Sequence, residues 1–170
     1  MNFLELCKKR YASRDFDRNR QIEKEKLDAL LKAAQLAPTG RNAQQFKVFV
    51  LQSSEALEKA EKCTPCTYNA PTVLVVTYDN SHPESHLDVN DVNVGLVNAT
   101  IVATFIMIEA EEQGLGSCYV ELFDGSVTKT ELGLKDGWEP ACFLPIGYST
   151  AGPGPRHFVR KTVEEISKTI

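Results

Sequence analysis

The chain has 170 residues, a formal net charge of −4, 42% hydrophobic residues and 25% charged residues. This length predicts one domain with a core that needs neither disulfides nor a metal, and the acidic balance argues against a general binder of nucleic acid or anionic membranes. The first ten residues carry charges where a signal peptide needs an apolar run, and no apolar stretch reaches the roughly 18 residues of a spanning helix, so we expect a cytoplasmic protein.

The first half of the chain alternates predicted helices and strands. Apolar residues at helical spacing predict helices over 2–9 and 23–37, the second with acids early and a proline just after its end. Short β-branched runs predict strands over 46–51 and 71–78. A serine-capped helix over 54–62 is expected to connect them.

One long apolar segment dominates the second half. After a polar loop at 79–90, the pattern predicts a helix over 91–113 that is apolar nearly all round from residue 94 to 108. Such a helix is expected to be buried, and in a chain this small we expect a second subunit to cover part of it.

The remaining elements define the expected fold class. Strands are predicted over 117–122 and 137–149, and a last short helix over 162–170. The resulting order is α-α-β-α-β-α-β-α-β-α, in which the helix between the last two strands has no assigned bounds. By itself this order predicts an α/β arrangement with a sheet of about four strands that need not all be parallel.

Two basic clusters lie near opposite ends of the chain. Four cations fall within seven residues at 8–14, and the segment 156–161 (RHFVRK) forms the second cluster. A solvated helix end or turn is one interpretation of each cluster. A phosphate site is the other, because the arginine fork matches phosphate oxygens and keeps its charge. The two clusters could converge on one anionic ligand.

The segment 37–46 (APTGRNAQQF) carries more hydrogen-bond donors than a short connection needs. Pro38 and Gly40 are explained by the turn itself. The cation and the three carboxamides, which are Arg41, Asn42, Gln44 and Gln45, are not explained in this way, since two solvated residues would suffice. The turn alone therefore does not account for these four side chains.

Three weaker motifs favour structural interpretations. Gly114-x-Gly116 follows a helix and opens a strand, the reverse of a dinucleotide fingerprint. His82 and His86 have acids nearby, but Pro83 prevents a regular helix from presenting them together, so no metal site is predicted. Five cysteines are an odd number, so reduced thiols are expected, and Cys63-x-x-Cys66 is interpreted as two buried thiols rather than a redox pair.

Six landmarks in order resemble the FMN-dependent nitroreductase family. The segment RYASRDF resembles the family's R-x-S-x-R-x-F opening, and APTGRNAQQF resembles its A-P-S-x-x-N-x-Q-P-W segment. The others are Ala70-Pro71, GLGSC at 114–118, PIGY at 145–148 and RKTVEE at 160–165. Together they extend over almost the whole chain.

The resemblance implies an α+β homodimer with a central, mostly antiparallel sheet of about four strands flanked by helices. It implies one FMN-binding domain over residues 1–170, two FMN molecules at the subunit interface and a long buried interface helix. By position, the residues implied to bind the phosphate are Arg10, Tyr11, Ala12, Arg14, Arg160 and Lys161. Those implied to reach the flavin from the partner subunit are Pro38, Thr39, Gly40, Arg41 and Asn42, with Gln44 in support. Backbone donors to the flavin nitrogen would come from Tyr119, Val120 and Glu121.

Three departures from the family pattern affect this assignment. Ala12 replaces the motif serine, which removes a phosphate hydroxyl unless Ser13 substitutes for it. Gln45-Phe46 replaces Pro-Trp. The segment 62–66, where relatives place polar contacts to the flavin, carries two cysteines instead.

The implied reaction is a ping-pong hydride transfer from NADH or NADPH, through flavin N5, to a nitroaromatic, a quinone or a similar electron-poor small molecule. Three alternatives remain open. One is another flavin reaction on the same scaffold, the second is a flavin-binding or sensing module without efficient NAD(P)H turnover, and the third is a thiol redox protein that uses Cys63 and Cys66.

Overall fold

The structure is a computed structural model that describes residues 2–87 and 91–170. The helices are α1 Phe3–Lys9, α2 Lys24–Leu36, α3 Ser54–Cys63, α4 Val94–Glu112, α5 Gly125–Leu132 and α6 Val163–Ile166. The strands are β1 Phe46–Leu51, β2 Thr72–Asp79, β3 His86–Leu87, β4 Val92–Asn93, β5 Gly116–Ser117 and β6 Trp138–Gly147. Short 3₁₀ turns lie at Gly40–Asn42, Pro83–Ser85 and Pro155–Phe158.

The central sheet has the order β1-β2-β6-β5, and every neighbouring pair is antiparallel. This confirms the expected four-stranded, mostly antiparallel sheet of an α+β fold. Strand β2 lies in the interior and is buried along nearly its whole length, which explains why its sequence is a continuous apolar run rather than an alternating one. Strands β3 and β4 form a separate two-stranded hairpin.

Helices cover both faces of the sheet. Helices α2 and α4 pack on one face, where Leu74 and Leu144 of the sheet meet Val102 and Ile106 of α4. Helices α3 and α5 lie on the other face, which is centred on Phe143. Alternate residues of β2 therefore belong to two different core clusters, as the pleat of a strand requires.

The predicted strand over 117–122 is wrong in length. Strand β5 contains only Gly116 and Ser117, and a single further bridge joins Val120 to Phe143 in the same register. Between them, Cys118 N donates to the carbonyl of Pro145 at 3.2 Å. Proline has no N–H with which to return the bond, so the ladder is interrupted there.

The ends of two predicted helices also differ from the structure. Helix α4 begins at Val94 rather than at 91, because Val92 and Asn93 pair with β3 and the Asn93 side chain accepts the N–H of Leu96 as an N-cap. Residues 88–90 of the predicted loop lie outside the described residues. Helix α6 spans four residues instead of the predicted 162–170, since all of its residues are exposed and no packing extends the capped first turn.

The structure supplies the bounds of the helix between the last two strands. Helix α5 spans Gly125–Leu132 and is preceded by the N-cap Asp124, whose side chain accepts the N–H of Val127. It is followed by the C-cap Gly133, which adopts a left-handed φ of 59°.

Helix α4 is long and apolar enough, by length and composition alone, to cross a membrane. Core helices of soluble proteins share this property. Here Ala99, Val102 and Ile106 are fully buried against the sheet. The expectation that the chain has no membrane partner stays a prediction.

Candidate functional site

The two basic clusters of the sequence meet in one cleft, which we call the basic cleft. Its volume is about 280 Å³. It is lined by Arg10, Tyr11, Ala12, Arg14, Gly154, Arg156, His157 and Arg160. Four arginines from opposite ends of the chain therefore line one cleft. Their convergence on one anionic ligand stays a prediction. Lys161 is not among the lining residues of this chain.

Side-chain contacts fix the C-terminal segment beside the end of α1. The Tyr11 hydroxyl donates to the carbonyl of Ala151 at 2.6 Å. The His157 ring packs edge-on against Tyr11 with 6.1 Å between centroids, and its Nε2 lies 2.9 Å from the carbonyl oxygen of Lys8. A carbonyl only accepts, so Nε2 carries the proton of this bond. These contacts hold the segment that carries Arg156 and Arg160 at the cleft that Arg10 also lines.

The charge of the cleft suits an anion. No carboxylate lines it in the ranges 2–87 and 91–170. Planar guanidinium groups keep their charge and offer paired N–H donors that match phosphate oxygens. Four cations left without a counter-ion would repel one another, so an anionic ligand would stabilise this arrangement. The donor set fits the phosphate of a mononucleotide.

A second group of side chains, Cys66, Tyr68 and Cys118, lies near Arg14. Tyr68 lies near Cys66 and Arg14, and its interaction with Cys66, together with burial, raises the tyrosine pKa. Burial also raises the pKa of Cys118, while the charges of Arg14 and Arg10 oppose this. Tyr68 was not predicted as a site residue, whereas Arg156 and His157 belong to the predicted second basic cluster but not to the residues that the family resemblance implied. A left-handed φ of 53° at Tyr68 is visible only in the structure.

The sequence profile of the Nitroreductase family matches residues 7–64 and 58–148, which together span most of the chain. The chain belongs to the nitroreductase family. A crystal structure of a nitroreductase family protein from Clostridium difficile 630 is 34% identical, with a TM-score of 0.90 over 99% of this chain and 98% of that chain.

Two further relatives carry more specific names. A Streptococcus pyogenes protein, named provisionally as an NAD(P)H nitroreductase, is 26% identical over 98% of this chain and 98% of its own length. A protein from Clostridium difficile R20291, described as an FMN-dependent nitroreductase, is also 26% identical, with a TM-score of 0.76 over 90% of this chain and 92% of its own. This nitroreductase is accordingly an oxidoreductase.

Ser13 does not replace the missing motif serine within this nitroreductase chain. Ala12 and Arg14 line the basic cleft, whereas the intervening Ser13 is only 1% exposed and its Oγ has no hydrogen-bond partner in the described part of the chain. Ala12 bridges to Ser117 as in a strand, and side chains alternate in an extended segment. Ser13 therefore points inward against Gly116, where an added Cβ would come within 2.4 Å of its Oγ.

The segment predicted to supply backbone donors is partly engaged in the sheet. The N–H of Val120 donates to the carbonyl of Phe143 at 2.9 Å, so within this chain that N–H is not available to a flavin. Glu121 is exposed. The Tyr119 hydroxyl lies 3.3 Å from Thr100 Oγ1, and burial raises its pKa to about 12, which keeps it protonated at neutral pH. The roles of Tyr119 and Glu121 stay predictions.

Residues 38–44, which we call the donor loop, do not line the basic cleft of their own chain. Three of its non-glycine residues have a left-handed φ: 52° at Arg41, 56° at Asn42 and 50° at Gln44. Each such residue costs roughly 1–3 kcal/mol and persists only where surrounding contacts hold it.

Those contacts are present around the donor loop. The N–H of Gly40 donates to Asn98 Oδ1 at 2.9 Å, and Arg41 pairs with Glu84 at 2.9 Å. The N–H of Gln44 donates to Thr39 Oγ1 at 3.1 Å. The loop is thus a fixed structure that lies over the N-terminal half of α4. Its predicted contact with the flavin of a second subunit remains a prediction.

An apolar groove lies along the exposed side of α4, and its volume is about 540 Å³. Its lining residues are Phe3, Cys7, Ala29, Lys32, Ala33, Leu36, Thr104, Phe105, Ile108 and Glu109. Phe3 and Leu36 are each 65% exposed and Phe105 is 38% exposed. These exposed apolar side chains make the groove a candidate interaction surface.

The weaker candidates have structural roles where the structure describes them. Burial raises the pKa of Cys63, and its Sγ donates to the carbonyl of Lys59 at 3.1 Å, which disfavours a reactive thiolate. His82 Nδ1 accepts the N–H of Glu84 at 3.1 Å, and His86 Nε2 contacts the carbonyl of Asn80. Across the described residues, no group of three or more metal-ligating side chains could hold a metal ion. Asp88 lies outside those residues.

Proposed function

We propose that this nitroreductase binds FMN and uses NADH or NADPH to reduce electron-poor small molecules such as nitroaromatics and quinones. The observation that carries the proposal is the basic cleft, in which four guanidinium groups and no carboxylate of the described residues face one space. The names of the two relatives at 26% identity, one an FMN-dependent nitroreductase and one provisionally an NAD(P)H nitroreductase, support the cofactor and the donor.

The donor set favours FMN over FAD. A terminal phosphate presents three oxygens to several guanidinium groups at once, as Arg10, Arg14 and Arg160 can contact it. In the described ranges 2–87 and 91–170, no G-x-G-x-x-G turn, the usual site for the dinucleotide pyrophosphate, joins a strand to a helix. Gly152 and Gly154 lie between β6 and α6, but Pro153 and Pro155 follow them and no third glycine completes that pattern. The arrangement of Arg14 beside Tyr68 would then direct the isoalloxazine ring towards Cys118 and the following residues.

FMN, when bound, supplies the N5 position that accepts hydride from the nicotinamide and passes it on. The chain's own residues contribute binding and electrostatics. Cations and backbone donors near the ring would stabilise the negative charge of its reduced form, because fixed dipoles need no reorganisation during the reaction. No side chain of this site is required as an acid or base for the first half-reaction.

A homodimer completes the proposed site. The donor loop lies away from the basic cleft of its own chain, yet it carries strained backbone and several donors. The apolar groove is exposed to solvent in a single chain, so a partner that packs on it would bury its apolar side chains. A second copy that packs on the groove would bring its donor loop to the first copy's flavin. Such an obligate interface is expected to bury well over about 2,000 Å² in total.

The visible spectrum of the purified protein tests this function. We expect a flavin spectrum, release of FMN on denaturation, bleaching by NADH or NADPH without oxygen, and recovery on addition of menadione or nitrofurazone. Released FAD, or a colourless protein that FMN fails to reconstitute, would overturn the proposal. Bound FMN that neither nucleotide bleaches would instead identify a flavin-binding module without turnover.

A further inference from the structure

The basic cleft offers more charge and space than one phosphate uses. A phosphate monoester carries about −2 charges at neutral pH, whereas four guanidinium groups line the cleft. A water molecule occupies roughly 30 Å³, and a phosphate group has the size of a few waters, so the 280 Å³ of the cleft leaves room beside it. The surplus is two positive charges and part of the volume.

The two ends of the cleft differ in what they adjoin. Arg14 adjoins Tyr68 and Cys118, on the side where the flavin ring is expected. Arg156 belongs to the 3₁₀ turn Pro155–Phe158, and the neighbouring His157 holds this turn against the carbonyl of Lys8 at 2.9 Å. The backbone of Arg156 is therefore held on the C-terminal side of the cleft, which its exposed side chain lines. Neither Arg156 nor His157 is among the residues that the family motifs assign to FMN.

We propose that Arg156, positioned by His157, forms a second phosphate subsite that binds the 2′-phosphate of NADPH and makes this donor preferred over NADH. The inference rests on the proposed function, because it concerns the hydride donor of that same site. The 2′-phosphate is a terminal monoester with three free oxygens and about two negative charges, which match the fork of Arg156. Each pyrophosphate phosphorus has only two free oxygens and one charge, so it matches less well.

The test uses NADP⁺ and NAD⁺, which differ only in the 2′-phosphate and do not reduce the flavin. Their binding to the FMN-saturated protein is measured by equilibrium dialysis for the unchanged chain, Arg156→Ala and Arg156→Lys. Lys168→Ala is the matched control, because Lys168 is an exposed cation of the same C-terminal segment and does not line the cleft. Each protein's dissociation constant for FMN is measured in parallel by flavin fluorescence.

We expect NADP⁺ to bind the unchanged chain about tenfold or more tightly than NAD⁺, as a charge-assisted hydrogen bond predicts. Arg156→Ala should remove this difference and leave the affinities for NAD⁺ and FMN within about twofold. Arg156→Lys should keep part of the difference, because an ammonium retains the charge but not the fork. Lys168→Ala should behave like the unchanged chain.

Three results would overturn the inference while leaving the proposed function intact. Equal affinities for NADP⁺ and NAD⁺ in the unchanged chain would exclude a 2′-phosphate subsite. An equal loss for both nucleotides in Arg156→Ala would assign Arg156 to the pyrophosphate. A loss of FMN affinity alone would assign all four arginines to one phosphate. Failure of the proposed function would appear differently, as a chain that binds no FMN or whose FMN neither NADH nor NADPH reduces.

Discussion

Asn98 is the residue through which helix α4 fixes the donor loop, so its removal is expected to destabilise the protein. Its side chain is buried, with an exposed fraction of 2%. Its Oδ1 accepts the N–H of Gly40 at 2.9 Å, and its Nδ2 donates to Gln45 Oε1 at 3.3 Å. Gln45 in turn donates to the carbonyl of Glu84 at 3.3 Å. Asn98→Ala would remove the two hydrogen bonds of the Asn98 side chain, one to Gly40 and one to Gln45.

The magnitude follows from what each partner does afterwards. Gly40 is exposed, so its N–H can return to water and the loss is about 1 kcal/mol. Gln45 is buried, so its Oε1 stays without a donor at a cost of about 1–3 kcal/mol. Alanine is the better helix former by roughly 0.5 kcal/mol, which offsets part of this. We expect a net loss of about 2 kcal/mol in the free energy of unfolding.

Urea denaturation at fixed protein concentration measures this loss. With a slope of ~2 kcal/mol per molar urea, the midpoint should fall by about 1 M. The control is Thr130→Ala on α5, where an exposed hydroxyl donates only to the carbonyl of Ser126 in its own helix, and we expect a change within about 0.5 kcal/mol. If both variants unfold at the same urea concentration, Asn98 does not hold the donor loop as described. A shared flavin site further predicts weaker FMN binding in Asn98→Ala.

Three further predictions concern the cleft, the core and the groove. Arg10→Ala and Arg160→Ala should each weaken FMN binding about ten- to a hundredfold in a fluorescence titration, and Arg→Lys at the same positions should restore part of the affinity. Unchanged affinity in both alanine variants would show that these arginines are surface charges without a role in FMN binding. Burial raises the pKa of Cys142 from 9.0 to about 12, so the unfolded thiol ionises first and stability should fall between about pH 9 and pH 12. Urea midpoints across that range should show a shallower decline in Cys142→Ala, and parallel profiles would contradict this. Phe105→Glu should shift the mass measured by light scattering from dimer to monomer, while Thr130→Glu should not; a monomeric unchanged chain with FMN bound would refute the shared site.

Local sequence patterns were sufficient for most of the fold. The continuous apolar run of β2 identifies an interior strand, because a strand buried on both faces has no polar alternation. The apolar segment of α4 identifies a core helix for the same reason. The resemblance to a known family added the antiparallel sheet, since the order and spacing of local elements say little about how strands pair in space.

The composition of the basic cleft was decided by tertiary structure. Arg156 lines it and Lys161 does not, because a histidine bond to the carbonyl of Lys8 sets how the C-terminal segment lies. Ser13 turns inward because its neighbour Ala12 bridges to another segment and fixes the alternation of side chains. Both outcomes depend on partners more than 100 residues away in the chain.

The sequence by itself therefore determined the helices, the interior strands and the presence of anion-binding donors, because these depend on local periodicity and side-chain chemistry. The tertiary structure alone decided which donors face the cleft, and it decided where β5 is interrupted. That interruption arises from Pro145 on the neighbouring strand, which has no N–H to offer to Cys118. Strand pairing depends on both segments together, so it cannot be predicted from the sequence of either segment alone.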